Sequence, residues 1–176
     1  ARFGPRAILT ASHAVELFDE ELRWDPSRAG IHTLPTLEPL ASGPEAMIER
    51  IAEGVGRLFA AGKFPVLIGG DHSVTLGALE ALGRHWDHPW ILQFDAHADL
   101  RVSYQGSPFS HACVMARARE SFECVQVGIR SWSEEEDARL WERPERVLQA
   151  AEVEGNLDAA EARLDKVLGD PVYVTI

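Results

Sequence analysis

Asp95, His97 and Asp99 follow the apolar run Trp90-Ile91-Leu92-Gln93-Phe94, with the small Ala96 and Ala98 between them. In an extended backbone, side chains at i, i+2 and i+4 share one face. The two carboxylates and the imidazole are therefore expected to converge, whereas a helix would turn His97 away from both. A fourth cation-binding candidate, His72, ends an earlier apolar run within Gly69-Gly70-Asp71-His72-Ser73. The plain alternative makes the carboxylates helix caps and the imidazoles satisfied polar groups. Four such groups at two neighbouring strand ends weigh against it. A carboxylate-rich set with some imidazole suits Mn²⁺ better than Zn²⁺, which more readily recruits thiolates. Cys113 and Cys124 stand outside the spacing.

Other residues read less sharply. Gly69-Gly70 is not a phosphate loop, because no Lys follows at the required place. The glycines are expected to let the chain turn and deliver His72, with Asp71 as a turn or supporting residue. Ser73 lacks the Gly-x-Ser-x-Gly frame of a nucleophile elbow and reads as a helix cap. His111, beyond the loop that begins at the metal motif, could serve as a proton shuttle or as a satisfied helix-start residue. Cys113 could pair with it as a nucleophile, but a buried small hydrophobe is the better reading. His13, His32, His85 and His88 are expected on the surface.

These groups need elements to carry them. Pro5 opens a helix whose stripe is Ala7, Ile8, Ala11, Ala14, Val15 and Phe18. A short strand is expected near 30–34. Ser42-Gly43-Pro44-Glu45 reads as a capping box for a helix through Met47, Ile51, Val55 and Phe59, ended by Gly62. Phe64-Pro65-Val66-Leu67-Ile68 reads as a strand covered on both faces, followed by a helix closed at Gly83. The opening run is the next strand, Cys124-Val125-Gln126-Val127-Gly128-Ile129 a third, and a helix begins between them at His111. Ser133 and Glu136 form a second capping box. Asn156 caps a last helix before a terminal strand at 172–176. Alternating strands and helices predict an α/β fold with a mostly parallel sheet, whose ligands gather outside the C-terminal strand ends.

The bulk numbers fit this reading. The 176 residues suffice for one domain with a core, and a net charge of −11 argues against a basic nucleic-acid surface. No apolar run is long enough to span a membrane, no signal-peptide pattern is present, and a cytoplasmic location is expected. Both ends read as mid-chain, so the sequence is expected to be a piece of a longer protein.

Gly-Gly-Asp-His-Ser at 69–73 and Phe-Asp-Ala-His-Ala-Asp-Leu-Arg at 94–101 resemble the two metal signatures of the ureohydrolase superfamily of arginases, agmatinases, formiminoglutamases and related guanidino hydrolases. Arg2-Phe3-Gly4-Pro5, Ser110-His111-Ala112 and Val127-Gly128-Ile129-Arg130-Ser131 extend the resemblance over nearly the whole chain. It implies a three-layer α/β/α fold, here one incomplete domain over 1–176, and two Mn²⁺ ions per active site of the full-length protein. His72 and Asp99 resemble ligands of one ion, His97 a ligand of the other and Asp95 the bridge. His111 matches the active-site histidine that handles protons. The reaction implied is hydrolysis of a small cationic guanidino substrate to urea and an amine by water activated between the ions. A homo-oligomer, trimer or hexamer, is implied as well.

Two departures matter. The family's Asp-x-Asp signature is expected after Ile176, so two ligands lie outside this sequence, and the piece alone is expected to be inactive. Arginases carry Asn where Arg101 stands. Arg101 and the Ser-Pro-Phe-Ser-His-Ala loop resemble agmatinases, which points to agmatine. A guanidinobutyrase, a formiminoglutamase, an arginase or a non-catalytic relative are the alternatives.

Overall fold

The sheet grows from the apolar runs. In the computed structural model, which describes residues 3–176, they form four parallel strands: β1 (Trp90–Phe94), β2 (Glu123–Ile129), β3 (Val147–Gln149) and β4 (Val172–Thr175). Ala1 and Arg2, the latter part of the Arg2-Phe3-Gly4-Pro5 resemblance, lie outside the described residues. The order is β3-β2-β1-β4. The chain steps outward from β1 to β3, then returns to pair β4 on the other side of β1. The C-terminal end of β1 is therefore a topological switch point, where α/β sheets place their ligands.

Alternation along the strands divides the core. Ile91, Cys124 and Ile129 pack on one face with α2 (Pro44–Ala60), α3 (Thr75–His85) and α4 (Val114–Ala118). Leu92, Val125, Val127 and Leu148 pack on the other with Val153 of α6 (Ala150–Gly155) and Ala160 and Leu164 of α7 (Leu157–Val167). This is the three-layer α/β/α arrangement expected from the resemblance. No helix among the described residues is long and apolar enough to cross a membrane.

Several local expectations hold. Gly62 takes the left-handed conformation (φ 66°) after α2, with the Lys63 N–H donating back to Leu58 O at 2.9 Å. Asn156 caps α7 by accepting from Ala159 N–H at 3.0 Å. The capping box of α5 (Glu134–Leu140) forms between Ser133 and Glu136.

Others are corrected. The box at Ser42 does not form: Pro44 takes the first helical position, so the cap falls on Gly43, which has no side chain to offer. The helix α1 (Gly4–Ser12) stops before Ala14, Val15 and Phe18 and buries none of its residues. No strand forms near 30–34. Helix α3 runs past Gly83, where a Cβ would meet the Phe122 ring at 3.1 Å, so this glycine makes room rather than a stop. Residues 64–68 join no ladder among the described residues, and Phe64 and Val66 are 92% and 76% exposed. A strand needs a neighbour for its N–H and C=O groups, and β4 is the last strand on that side. β3 and α6 escaped the sequence reading because three and six residues are too short to display a period.

Helix α3 sits close on α2 because Gly77 has no side chain. A Cβ there would lie 2.6 Å from Ile48 O. Gly77→Ala is expected to destabilise the fold by about 1–3 kcal/mol through overpacking. The urea midpoint should fall with the slope unchanged.

Candidate metal centre

β1 ends at Phe94, and the chain leaves the sheet before the three ligand candidates. The strict strand geometry expected through Asp99 therefore gives way to a loop, and convergence is achieved differently. Gly128 makes a bulge in β2 at φ 86°, where a Cβ would stand 3.3 Å from Asp95 O. That close approach and the left-handed φ both call for glycine. Past the bulge, the N–H groups of Arg130 and Ser131 both donate to Ala96 O at 2.9 Å. Asp99 itself is left-handed, at φ 53°. Such strain in a non-glycine residue is held only where its surroundings over-determine it.

His72 arrives from the other motif on a 3₁₀ turn (His72–Val74) whose cap is Asp71, accepting from Ser73 N–H and Oγ at 3.1 and 2.6 Å. Asp71, not Ser73, is thus the capping acceptor. His72, Asp95 and Asp99 form a group whose donor atoms all lie within 4.8 Å of one another. His72 Nδ1 is 2.7 Å from Asp99 Oδ2 and 3.8 Å from Asp95 Oδ2. Its Nε2 meets Thr175 Oγ1 at 3.0 Å, at the end of β4, and Thr175 Oγ1 lies 3.2 Å from Thr75 Oγ1. A ring nitrogen committed to a protein partner fixes the imidazole and turns the other nitrogen to the site, as metal-binding histidines require.

His97 does not join that group. Its side chain is 66% exposed at the mouth, with Nδ1 3.3 Å from Asp95 Oδ1. Asp95 thus stands between the histidines, Oδ2 towards His72 and Oδ1 towards His97. A cleft of about 600 Å³ holds these residues together with Asp71, Arg101, Tyr104 and His111.

His111 begins a 3₁₀ turn (His111–Cys113) before α4. Its Nδ1 is 3.7 Å from Asp71 Oδ2, and its ring meets the Tyr104 ring edge-on at 5.5 Å. The Arg101 guanidinium lies over Tyr104 at 5.3 Å. Asp71 faces the proton-handling candidate while capping the turn that carries His72, a link that sequence adjacency to His72 alone did not reveal. Tyr104 had no motif to flag it.

Beneath the loop lies a buried polar chain. Arg119 donates to Gln126 Oε1 at 2.7 Å, and Gln126 Nε2 donates to Gln93 Oε1 and, at 2.8 Å, to Ala98 O. Gln93 Nε2 reaches His97 O at 3.4 Å. Both glutamines are fully buried and stand opposite one another in the β1–β2 register. They read as ordinary strand positions in the sequence, since buried amides carry no periodic signal.

The chain that carries this donor set has close relatives. The sequence pattern of the arginase family matches residues 1–176. The chain belongs to the arginase family. It is 34% identical over 181 residues to the N(1)-aminopropylagmatine ureohydrolase of Synechocystis sp., covering 98% of this chain and 59% of the relative. It is 32% identical over 179 residues to the agmatinase of Bacillus subtilis, covering 100% of this chain and 60% of the relative. The crystal structure of the agmatine ureohydrolase of Thermoplasma volcanium superposes with a TM-score of 0.82 at 28% identity, over 98% of this chain and 58% of that one. The chain therefore spans about 60% of the length of these relatives.

Within this arginase-family chain the cysteines lie apart from the chemistry. Both are free and buried. Burial raises the Cys113 thiol above its ordinary value and pushes Cys124 up to about 12. A thiol raised by burial stays protonated and unreactive near neutral pH, in line with Cys113 as a small hydrophobe. At pH 8 neither should react with a disulfide reagent in the native protein, and both should react in denaturant. Rapid labelling of native Cys113 would contradict this.

Proposed function

We propose that the protein carrying this chain is a Mn²⁺-dependent ureohydrolase that cleaves a small cationic guanidino amine, agmatine or N(1)-aminopropylagmatine, to urea and the corresponding amine. The observation that carries the reading is the division of Asp95. One of its oxygens faces His72, which also meets Asp99, and the other faces His97. That arrangement fits two neighbouring ions sharing one carboxylate. His72 and Asp99 would help hold the first and His97 the second. Oxygen-rich ligands with imidazole suit Mn²⁺.

When bound, such ions supply an acidified water as nucleophile for the guanidinium carbon, which resonance otherwise protects. The chain's own residues do the rest. Ser110 Oγ meets His111 Nδ1 at 3.4 Å and the Asp71 carboxylate faces the same nitrogen at 3.7 Å, leaving Nε2 to hand a proton to the departing amine. Tyr104 and Arg101 wall the cleft beside it. Arg101, where arginases carry Asn, favours a substrate without an α-amino-acid end. The names of the similar proteins, agmatinase and N(1)-aminopropylagmatine ureohydrolase, favour the same substrate class.

The test is urea release by the intact, Mn²⁺-loaded protein across a panel of guanidino compounds, ranked by kcat/KM. Agmatine and N(1)-aminopropylagmatine should lead and Asp95→Asn should abolish turnover. His111→Ala should lower kcat by about 10²–10⁴-fold, the usual worth of a positioned acid–base group. An intact protein that ignores every guanidino compound would sink the proposal.

A further inference from the structure

We propose that Glu136 is a positioning residue that sets the direction of the Asp99 carboxylate by gripping the peptide unit that follows it. Both polar atoms of the Asp99–Leu100 peptide are held. Its carbonyl oxygen accepts from the N–H groups of Met115 and Ala116 at 3.0 and 3.1 Å, and its N–H donates to Glu136 Oε1 at 2.8 Å. Fixing that plane fixes the backbone of Asp99 on its C-terminal side, at the residue whose φ of 53° makes the loop least able to hold itself. The role rests on Asp99 being a Mn²⁺ ligand.

The sequence accounts for only half of Glu136. As the third residue of α5, it closes a capping box, and its Oε2 accepts from Ser133 N–H at 2.8 Å and Ser133 Oγ at 2.7 Å. A capping-box glutamate needs to reach back only to its N-cap residue. Here the second oxygen goes 36 residues back along the chain to Leu100, and the residue is only 5% exposed. The Arg101 guanidinium approaches Oε2 no closer than 3.9 Å. The carboxylate is thus satisfied chiefly by three hydrogen bonds, one of which belongs to the metal loop. A buried carboxylate is costly unless so satisfied, and the cap alone would use one oxygen and leave the other bare. Helix α5 thereby becomes a fixed post against which the Asp99 turn is set.

Three variants of the intact protein separate positioning from simple capping. Glu136→Asp retains a carboxylate at the third helical position but is shorter by one carbon–carbon bond, so it cannot bridge Ser133 and Leu100 together. Glu136→Gln keeps an oxygen for Leu100 N–H. Ser133→Ala removes the hydroxyl from the cap and leaves the Leu100 bond intact. In an EPR titration, Glu136→Asp should weaken Mn²⁺ binding by about 10–100-fold, the usual cost of losing a partner that orients a ligand. Glu136→Gln should restore most of that affinity, while Ser133→Ala lowers the melting temperature of the metal-free protein without weakening binding. Hydrogen exchange of the Leu100 amide reads the same bond without metal, and should quicken in Glu136→Asp but not in Ser133→Ala. Wild-type affinity or wild-type Leu100 exchange in Glu136→Asp overturns the positioning role alone. So does an affinity loss in Ser133→Ala that tracks its loss of stability. A wild-type protein that binds no Mn²⁺ overturns the ligand assignment, and the positioning role with it.

Discussion

A chain that leaves a sheet inside the protein must find a partner for every backbone N–H and C=O it carries away from the ladder. The rest of the candidate centre depends on how residues 95–101 meet that demand. Asp95 N–H still reaches Val127 O at 3.0 Å, Ala98 N–H reaches Ser131 O at 3.2 Å, and Arg101 N–H reaches Ala112 O at 3.1 Å. The carbonyls of His97 and Ala98 take the two glutamine amides from below, and that of Asp99 takes the first N–H groups of α4. Free N–H groups at a helix start are ready acceptor-seekers, so the helix gains a cap as the loop gains an anchor. The partners are spread over β1, β2 and the residues after it, the turn before α4, and α4 itself. The loop that carries the candidate ligands is thus held by several elements rather than one.

The same economy explains the bulge in β2. With Gly128 in left-handed conformation the strand twists out of register, and Arg130 and Ser131 present two successive N–H groups to one carbonyl, Ala96 O. A regular strand would present them to opposite sides. The amide chain from Arg119 through Gln126 to Gln93 is directional: the guanidinium only donates, so it sets Gln126, which sets Gln93. Burial pushes the Arg119 pKa below its ordinary value, yet the guanidinium stays tied to Arg139 O and Gln126 Oε1, both at 2.7 Å.

Much of this was legible in the sequence because the relevant signals are local. Alternating or continuous apolar runs marked β1, β2 and β4, and Ser133 with Glu136 marked the start of α5. The His72 and Asp95–Asp99 motifs, each after an apolar run, predicted that both would meet, and His72 Nδ1 lies 2.7 Å from Asp99 Oδ2. Their i, i+2, i+4 spacing suggested convergence for the wrong geometric reason: the loop, not strand alternation, turns Asp99 inward and leaves His97 at the rim. What could not be read was non-local. The second oxygen of Glu136, the Asp71–His111 pair and the facing glutamines each join residues far apart in sequence through a register that only the fold defines. Residues 64–68 show the converse, since an apolar run fixes a preference for strand but not the neighbour that would realise it.

The charges around the site are arranged so that the candidate ligands are not neutralised by the protein's own cations. Among the described residues, the ion pairs of Asp95 and Asp99 are with His72 and His97, not with arginine or lysine. Arg101, the nearest guanidinium in sequence, is drawn away: it lies over Tyr104 and faces Glu135 and Glu136 at 3.8 and 3.9 Å. Had it turned to Asp99, a bidentate pair would have filled the carboxylate's acceptor positions and competed with any ion. Glu136 therefore acts on the site from two directions. One oxygen holds the backbone that aims Asp99, and the carboxylate's charge helps keep the Arg101 cation off it. A converging set of carboxylates left without a resident arginine is what an acquired divalent cation requires, since the ion's own charge repays the cost of bringing like charges together.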